Sequence, residues 1–342
     1  MALYTPSSPH IHAPSSVNKM MLTVVLALVP GCLLYVILFG WGIIIHMSLA
    51  VVTALAIEAL MLKLRGRPII LFVSDGSAIV TGLLLALSIP PIAPWWITVI
   101  GISFAIIIAK HLYGGLGFNP FNPAMIGYVV LLISFPLEMS TWPQPEALSH
   151  IHLDFLSAAQ LVFNAETLQN INLDALSGAT PLDYLKSQLG LQFTVDEVIN
   201  SHPIFHSTAG IWMNIAFLAG GGWLLYKKVI NWHIPAAMLG SLFILSVVFY
   251  LFDPERFASP WFHLFNGATM LGAFFIATDP VSAATTNNGR LIYGIGIGIL
   301  IFIIRTWGGY PDGVAFAVLL MNICAPTIDH YTKARVFGHP DK

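Results

Sequence analysis

The chain has 342 residues, 57% of them apolar and 9% charged, with a formal net charge of −2. A soluble domain carries roughly 25% charged residues, so the composition excludes one and points to a polytopic membrane protein. It holds no basic run or nucleic-acid motif. Its two cysteines, Cys32 and Cys324, fall inside apolar stretches, which excludes a disulfide framework and reads as buried structural thiols.

Residues 1–18 are polar and rich in Ser, Pro and His, and no cleavable signal precedes the first apolar run. Apolar runs long enough to cross a bilayer then predict a first span over Met20–Phe39 and a second over Trp41–Leu62, closed by Lys63, Arg65 and Arg67. A third centres on Ile79–Ile89 and ends at Pro90-Pro91-Ile92-Ala93-Pro94; a fourth runs from Trp95 to Ala109, and a fifth over Phe121–Leu137. A polar segment from Glu138 to His206 follows. Beyond it come Ser207–Tyr226, Trp232–Phe252, Phe265–Ala277, Leu291–Ile304 and Gly313–Ile328. The expected architecture is all-α with about ten transmembrane helices. It falls into a first membrane half (1–137), an extramembrane segment (138–206) and a second membrane half (207–342).

Basic residues orient the chain. With the N-terminus in the cytoplasm, eleven of the fourteen Lys and Arg residues fall on the cytoplasmic side, leaving Lys186, Arg256 and Arg305 opposite. Both termini are then inside, and 138–206, acidic apart from Lys186, lies outside as a solvated loop. Asp75-Gly76-Ser77-Ala78 is echoed by Asn266-Gly267-Ala268-Thr269, and Tyr113-Gly114-Gly115 by Trp307-Gly308-Gly309. Five spans per half force the second half to enter upside down, giving two inverted five-helix repeats.

Three stretches carry candidate chemistry. Thr180-Pro181-Leu182-Asp183 is a helix start, with Thr180 as N-cap, Pro181 at the first helical position and Asp183 at N3 as in a capping box. Before it stand Gly178, which permits a tight turn, and the small Ala179. The Thr180 hydroxyl thus meets a helix N-terminus, which favours a phosphate. Between Lys110 and Ala124, three glycines, two prolines and two asparagines (Asn119 and Asn122) cannot continue a helix through lipid. They form either a tight cytoplasmic loop or a loop lining an ion or cofactor route. Glu58 is the acid deepest in a span; it faces a partner or cavity as an ion-route candidate, or reaches toward the interface near Lys63. Asp253-Pro254 and Asp279-Pro280 read as helix-end turns. His150, His152, His202 and His206 lack a metal-ligand pattern.

Asp174-Ala175-Leu176-Ser177-Gly178-Ala179-Thr180 fills every specified position of D-x-x-[ST]-G-A-T, the signature at which a flavin transferase esterifies FMN to the last threonine. On this motif, on Ser74–Ala78 with Thr81-Gly82, and on the 110–124 stretch, the chain resembles the family of the D subunits of Rnf ion-translocating ferredoxin:NAD oxidoreductases and the B subunits of sodium-pumping NADH:quinone oxidoreductases. The short region with Ser8-Pro9-His10, without a longer extension, favours the former branch. The resemblance implies a subunit of a translocase-type oxidoreductase in the bacterial inner membrane, with residues 138–206 periplasmic. It implies covalent FMN on Thr180, with Asp174 and Ser177 read by the transferase and Gly178 and Ala179 giving access. Implied partners are the other subunits, a second covalent-flavin subunit among them; a non-covalent riboflavin is left open. A solute channel or transporter of inverted-repeat fold and a non-redox scaffold are the competing classes.

Overall fold

The computed structural model describes residues 17–145, 148, 154–164 and 177–333. Asp174, Glu146, Glu166, His150, His152 and the Ser8–His10 region lie outside the described residues. In chain order the helices are α1 (Val17–Phe39), α2 (Gly42–Leu64), α3 (Ile69–Val73), α4 (Ser77–Ala86) and α5 (Trp95–Ser103), which runs on as a π-helix over Phe104–His111. Next come α6 (Pro123–Ser134), α7 (Pro136–Ser140) and α8 (Phe155–Phe163). Then follow α9 (Pro181–Gly190), α10 (Val195–Ser201), a 3-10 turn (Pro203–His206), α11 (Ala209–Tyr226), α12 (His233–Phe252) and α13 (Pro260–Phe265). The last are α14 (Thr269–Leu271), continued as a π-helix over Gly272–Ile276, α15 (Asn287–Trp307) and α16 (Val314–Tyr331).

Among the described residues six helices are long and apolar enough to cross a membrane: α1, α2, α11, α12, α15 and α16. Shorter apolar helices, Ser77–Ala86, Trp95–His111 and Pro123–Ser134, lie between them. The protein is therefore a polytopic, helical membrane protein. Its one β element among the described residues is a two-residue antiparallel pair, Trp142 opposite Gly178 and Pro143 opposite Ser177. Both Asp-Pro steps end helices as expected, Asp253 as the C-cap of α12 and Asp279 in the turn after Ile276.

The two membrane halves share one apolar core, in which α1 packs on α11 and α12 on α15. Lipid tails are as apolar as leucine, so helices in a bilayer hold together by close approach across small residues. A Cβ built on Gly220 of α11 would overlap the Ala27 carbonyl oxygen of α1. On α15, Gly294 and Gly298 face the Ile234 and Met238 carbonyls of α12 in the same way.

Two helices stop inside this core. After α4 the chain runs through the largely buried, irregular stretch 87–94; after Ile276 it is irregular again from Ala277 to Thr286, with Ala277 and Ser282–Ala284 buried and Pro280 and Thr285 exposed. Such ends leave amides and carbonyls without helical partners, and asparagines meet several of them. Asn214 of α11 donates to Gly210 O, Phe265 O and Gly267 O and accepts from Met270 N, clasping the turn that opens α14. Asn122 caps α6 by accepting from Met125 N and donates to Ile276 O at 3.1 Å. Its own N–H donates to Asn322 of α16, which in turn donates to Ser282 O and Tyr293 Oη.

The expectation of buried thiols is corrected. Cys32 is only partly buried and Cys324 is exposed, on the outward side of α16. An apolar span surrounds a thiol with apolar neighbours along the chain, but helical phase decides whether it faces the core or the lipid.

Replacing Gly220 by Ala should lower stability by about 1–3 kcal/mol through overpacking against backbone. The same change at Gly222, where a Cβ meets nothing within 4 Å, should leave stability unchanged or raise it slightly. Thermal unfolding of the two variants in detergent checks this.

Candidate functional site

Thr180 takes the extended N-cap conformation, and its Oγ1 accepts from Asp183 N at 3.3 Å, with Pro181 at the first helical position. One of the two bonds of a capping box therefore forms. Residues 177–180 are half-buried, so the hydroxyl sits at the surface of a ten-residue helix and at its positive end. Gly178 pairs with Trp142, and a Cβ there would press on the Gln144 side chain at 3.0 Å. A phosphoester fits this place: the threonine oxygen is accessible, the helix dipole favours the anion, and the preceding residues are too small to block it.

The helix itself is seated on the membrane bundle. Leu182 and Leu185 are buried. Lys186 Nζ donates to Ile304 O at 2.8 Å and Tyr310 O at 2.7 Å, and burial holds its pKa below the ordinary lysine value, opposed by the nearby Asp183 carboxylate. The Tyr184 ring packs tilted against His202, whose Nδ1 caps the 3-10 turn by accepting from Ile204 N. His202 is thus a packing and capping residue, and no cluster of three metal-ligating side chains occurs among the described residues.

Beneath this helix lies an ion pair between a buried Arg305 and a partly exposed Asp312 that the sequence did not announce. Arg305, 4% exposed, binds Asp312 through Nε (3.2 Å) and Nη2 (3.0 Å). It also donates to His263 O, Asn266 O and Thr269 Oγ1, while Asp312 accepts from Ala268 N. The pair therefore wraps the turn before α14.

A second pair lies near the opposite ends of α2 and α5. Glu58 is 2% exposed and is held by Lys110, equally buried, at 2.8 Å. Lys110 also donates to Ser77 Oγ at 2.8 Å, and Ser77 donates to Asp75. His111 brings Nε2 to 3.1 Å from the other Glu58 oxygen, without hydrogen-bond alignment. Of the two readings open for Glu58, the structure selects the buried partner over a reach toward the interface. Lys110, counted on the cytoplasmic side, turns its side chain into the bundle from the π-turn over Phe104–His111. The one available hint was position: Lys110 and Arg305 both end apolar runs just before an aromatic-Gly-Gly turn.

Asn119 and Asn122 are both buried. With Lys110, Thr81, Thr278 and Asp279 they line a cleft of about 80 Å³ free volume between the halves. Asn119 Oδ1 has no partner there. The 110–124 stretch is thus a loop that contributes polar side chains to a mostly apolar cleft, and Gly114, Gly115 and Gly117 supply the positive-φ backbone it needs.

Residues 4–338 match the family described as NQR2, RnfD, RnfE. The D subunit of the ion-translocating oxidoreductase complex of Aliivibrio salmonicida is 53% identical over 349 residues, covering 99% of each chain. Its counterpart of the same description from Escherichia fergusonii is 51% identical over 350 residues, again 99% of each. That of Vibrio vulnificus is 52% identical over 356 residues, covering 99% of this chain and all of the relative.

Removing one partner of a buried ion pair costs about 3–5 kcal/mol, because the other charge is left uncompensated. Lys110→Met should therefore destabilise the protein by that order. Adding Glu58→Gln to it should recover part of the loss. A double-mutant cycle on thermal unfolding in detergent measures the coupling; additive losses would remove the pairing.

Proposed function

This chain belongs to the NQR2, RnfD, RnfE family, and from that premise we propose that it is the redox-carrying membrane subunit of an ion-translocating oxidoreductase complex, with FMN esterified to Thr180. The observation that carries this reading is the placement of Thr180: an accessible hydroxyl at the positive end of a helix seated on the membrane bundle. When bound, FMN supplies the ability to accept and release electrons. The chain's residues supply attachment and position. Thr180 is the anchor, Gly178 and Ala179 leave it open to the transferase, and Asp174 with Ser177 completes the recognised signature. A covalent tether keeps the flavin from being lost by dilution outside the cytoplasm.

The same reading orients the molecule. Residues 138–206 are periplasmic, both termini are cytoplasmic, and about ten helices form two inverted five-helix repeats. In support, α4 and α14 both stop inside the core, and the buried cations Lys110 and Arg305 end corresponding helices. The chain works in the bacterial inner membrane with the other subunits, exchanging electrons with a second covalent-flavin subunit. We place Glu58, Asn119 and Asn122 on the ion route, since both asparagines line the cleft together with Lys110, the partner of Glu58. The cleft between Asn119, Asn122 and Lys110 does not fit a non-covalent riboflavin as it stands: about 80 Å³ takes several waters but no tricyclic ring.

Mass analysis of the complex, produced with an active flavin transferase, tests the assignment. The peptide containing Thr180 should carry the mass of one FMN less one water. Thr180→Val should abolish both that increment and the in-gel fluorescence of the subunit. An unmodified Thr180 would leave the scaffold and transporter readings in possession.

A further inference from the structure

The helix α9 that carries Thr180 is fastened to the membrane bundle at one turn. Lys186 Nζ bonds Ile304 O and Tyr310 O, which stand on either side of Trp307-Gly308-Gly309. The Arg305–Asp312 pair spans the same turn from within. Lys186 is the only Lys or Arg between Glu138 and His206, so no other cation of that segment can replace it. Its ammonium also meets the carbonyl end of α15, where a cation is favoured.

Leu182, one turn earlier on α9, reaches the second element. A Cβ built on Gly267 would overlap Asp312 Oδ2 and stand 2.6 Å from Leu182 Cδ1 and 2.9 Å from Arg305 Nη2. The turn that opens the interrupted helix is therefore enclosed by the Thr180 helix above and the charge pair at its side. Gly267, with φ +64°, leaves no space there for a side chain. At the other end of that interrupted helix, Ile276 O is held by Asn122, and the chain continues through Thr278 and Asp279 at the cleft.

We propose that Lys186 and Leu182, backed by Arg305 and Asp312, form a strap that ties the position of the Thr180 helix to the interrupted helix Thr269–Ile276. A displacement of α9 is then passed to the cleft lined by Asn122, Thr278 and Asp279. Lys186 is a positioning residue in this arrangement; it touches neither electron donor nor ion. The strap rests on the flavin reading above. Its physical content is that Lys186 bonds the turn over 304–310 and Leu182 lies against Gly267 of the turn before α14, while Arg305 and Asp312 join those two turns, so α9 cannot shift without moving them or breaking two charge-assisted hydrogen bonds.

The test uses the whole complex in proteoliposomes, with electron flow followed by acceptor reduction and ion uptake by internal sodium- and pH-sensitive dyes. In Lys186→Met, which keeps the apolar stem, Thr180 should retain FMN and electron flow should persist. The ions moved per electron should fall at least fivefold, and Lys186→Arg, which can still donate to both carbonyls, should restore the ratio. An unchanged ratio in Lys186→Met overturns the strap, as does a fall that Lys186→Arg fails to restore. If Lys186→Met does not assemble, Thr278→Cys is introduced with Cys32 and Cys324 replaced by Ala. A thiol-labelling rate that differs between oxidised and reduced complex supports the strap, and equal rates overturn it. An unmodified Thr180 removes the flavin reading and the strap together, whereas retained FMN with an unchanged ratio removes the strap alone.

Discussion

A peptide group inside hydrocarbon has no water to bond, so wherever a membrane helix stops short, something in the protein must take over its free amides and carbonyls. This chain stops two helices inside its core, at Ala86 and Ile276, and the rest of its interior follows from that constraint. Asn214 clasps the entry to the second interruption with three donated bonds and one accepted, and Asn122 closes its far end at Ile276 O. Asparagine suits both places because one short side chain offers donors and an acceptor together. The consequence is a buried hydrogen-bond network inside the apolar core, with Asn322, Ser282 and Tyr293 extending it from Asn122.

That interior also holds charge. A buried ion costs several kcal/mol in desolvation, and both buried cations are met by more than one acceptor. Lys110 bonds Glu58 and Ser77, and Arg305 bonds Asp312, two carbonyls and Thr269. Each lies near the end of its helix, just before an aromatic-Gly-Gly turn. Such pairs are weak evidence for added stability, since a well-packed apolar replacement can do as well. Their value here is placement: each ties an interrupted helix to its neighbour at the end where it begins, Ser77 in one case and Thr269 in the other.

The Thr180 helix meets the membrane bundle at the second of these charge pairs. The motif supplies the anchor and the helix dipole, while packing supplies the address. Leu182 and Leu185 bury one face, and Lys186 crosses to carbonyls more than a hundred residues later in the chain. Leu182 of the Thr180 helix lies against Gly267 of the turn that opens α14, so the proposed flavin site and the interrupted helix share a boundary.

Much of this was written in the sequence. The apolar runs and the scarcity of charge determined a polytopic helical membrane protein, because a continuous apolar run of bilayer-spanning length satisfies its own backbone in lipid as a helix. Thr180-Pro181-Leu182-Asp183 determined a capped helix start, because capping is local chemistry over four residues. Glu58 could be singled out by the cost of an acid in a span, yet its partner could not. Lys110 lies 52 residues away, and its side chain turns inward from the π-turn of α5. The thiol of Cys324 faced outward and Arg305 faced inward for the same reason. Helical phase, and which helix packs on which, are set by the summed contacts of the whole bundle, and no window of sequence contains them.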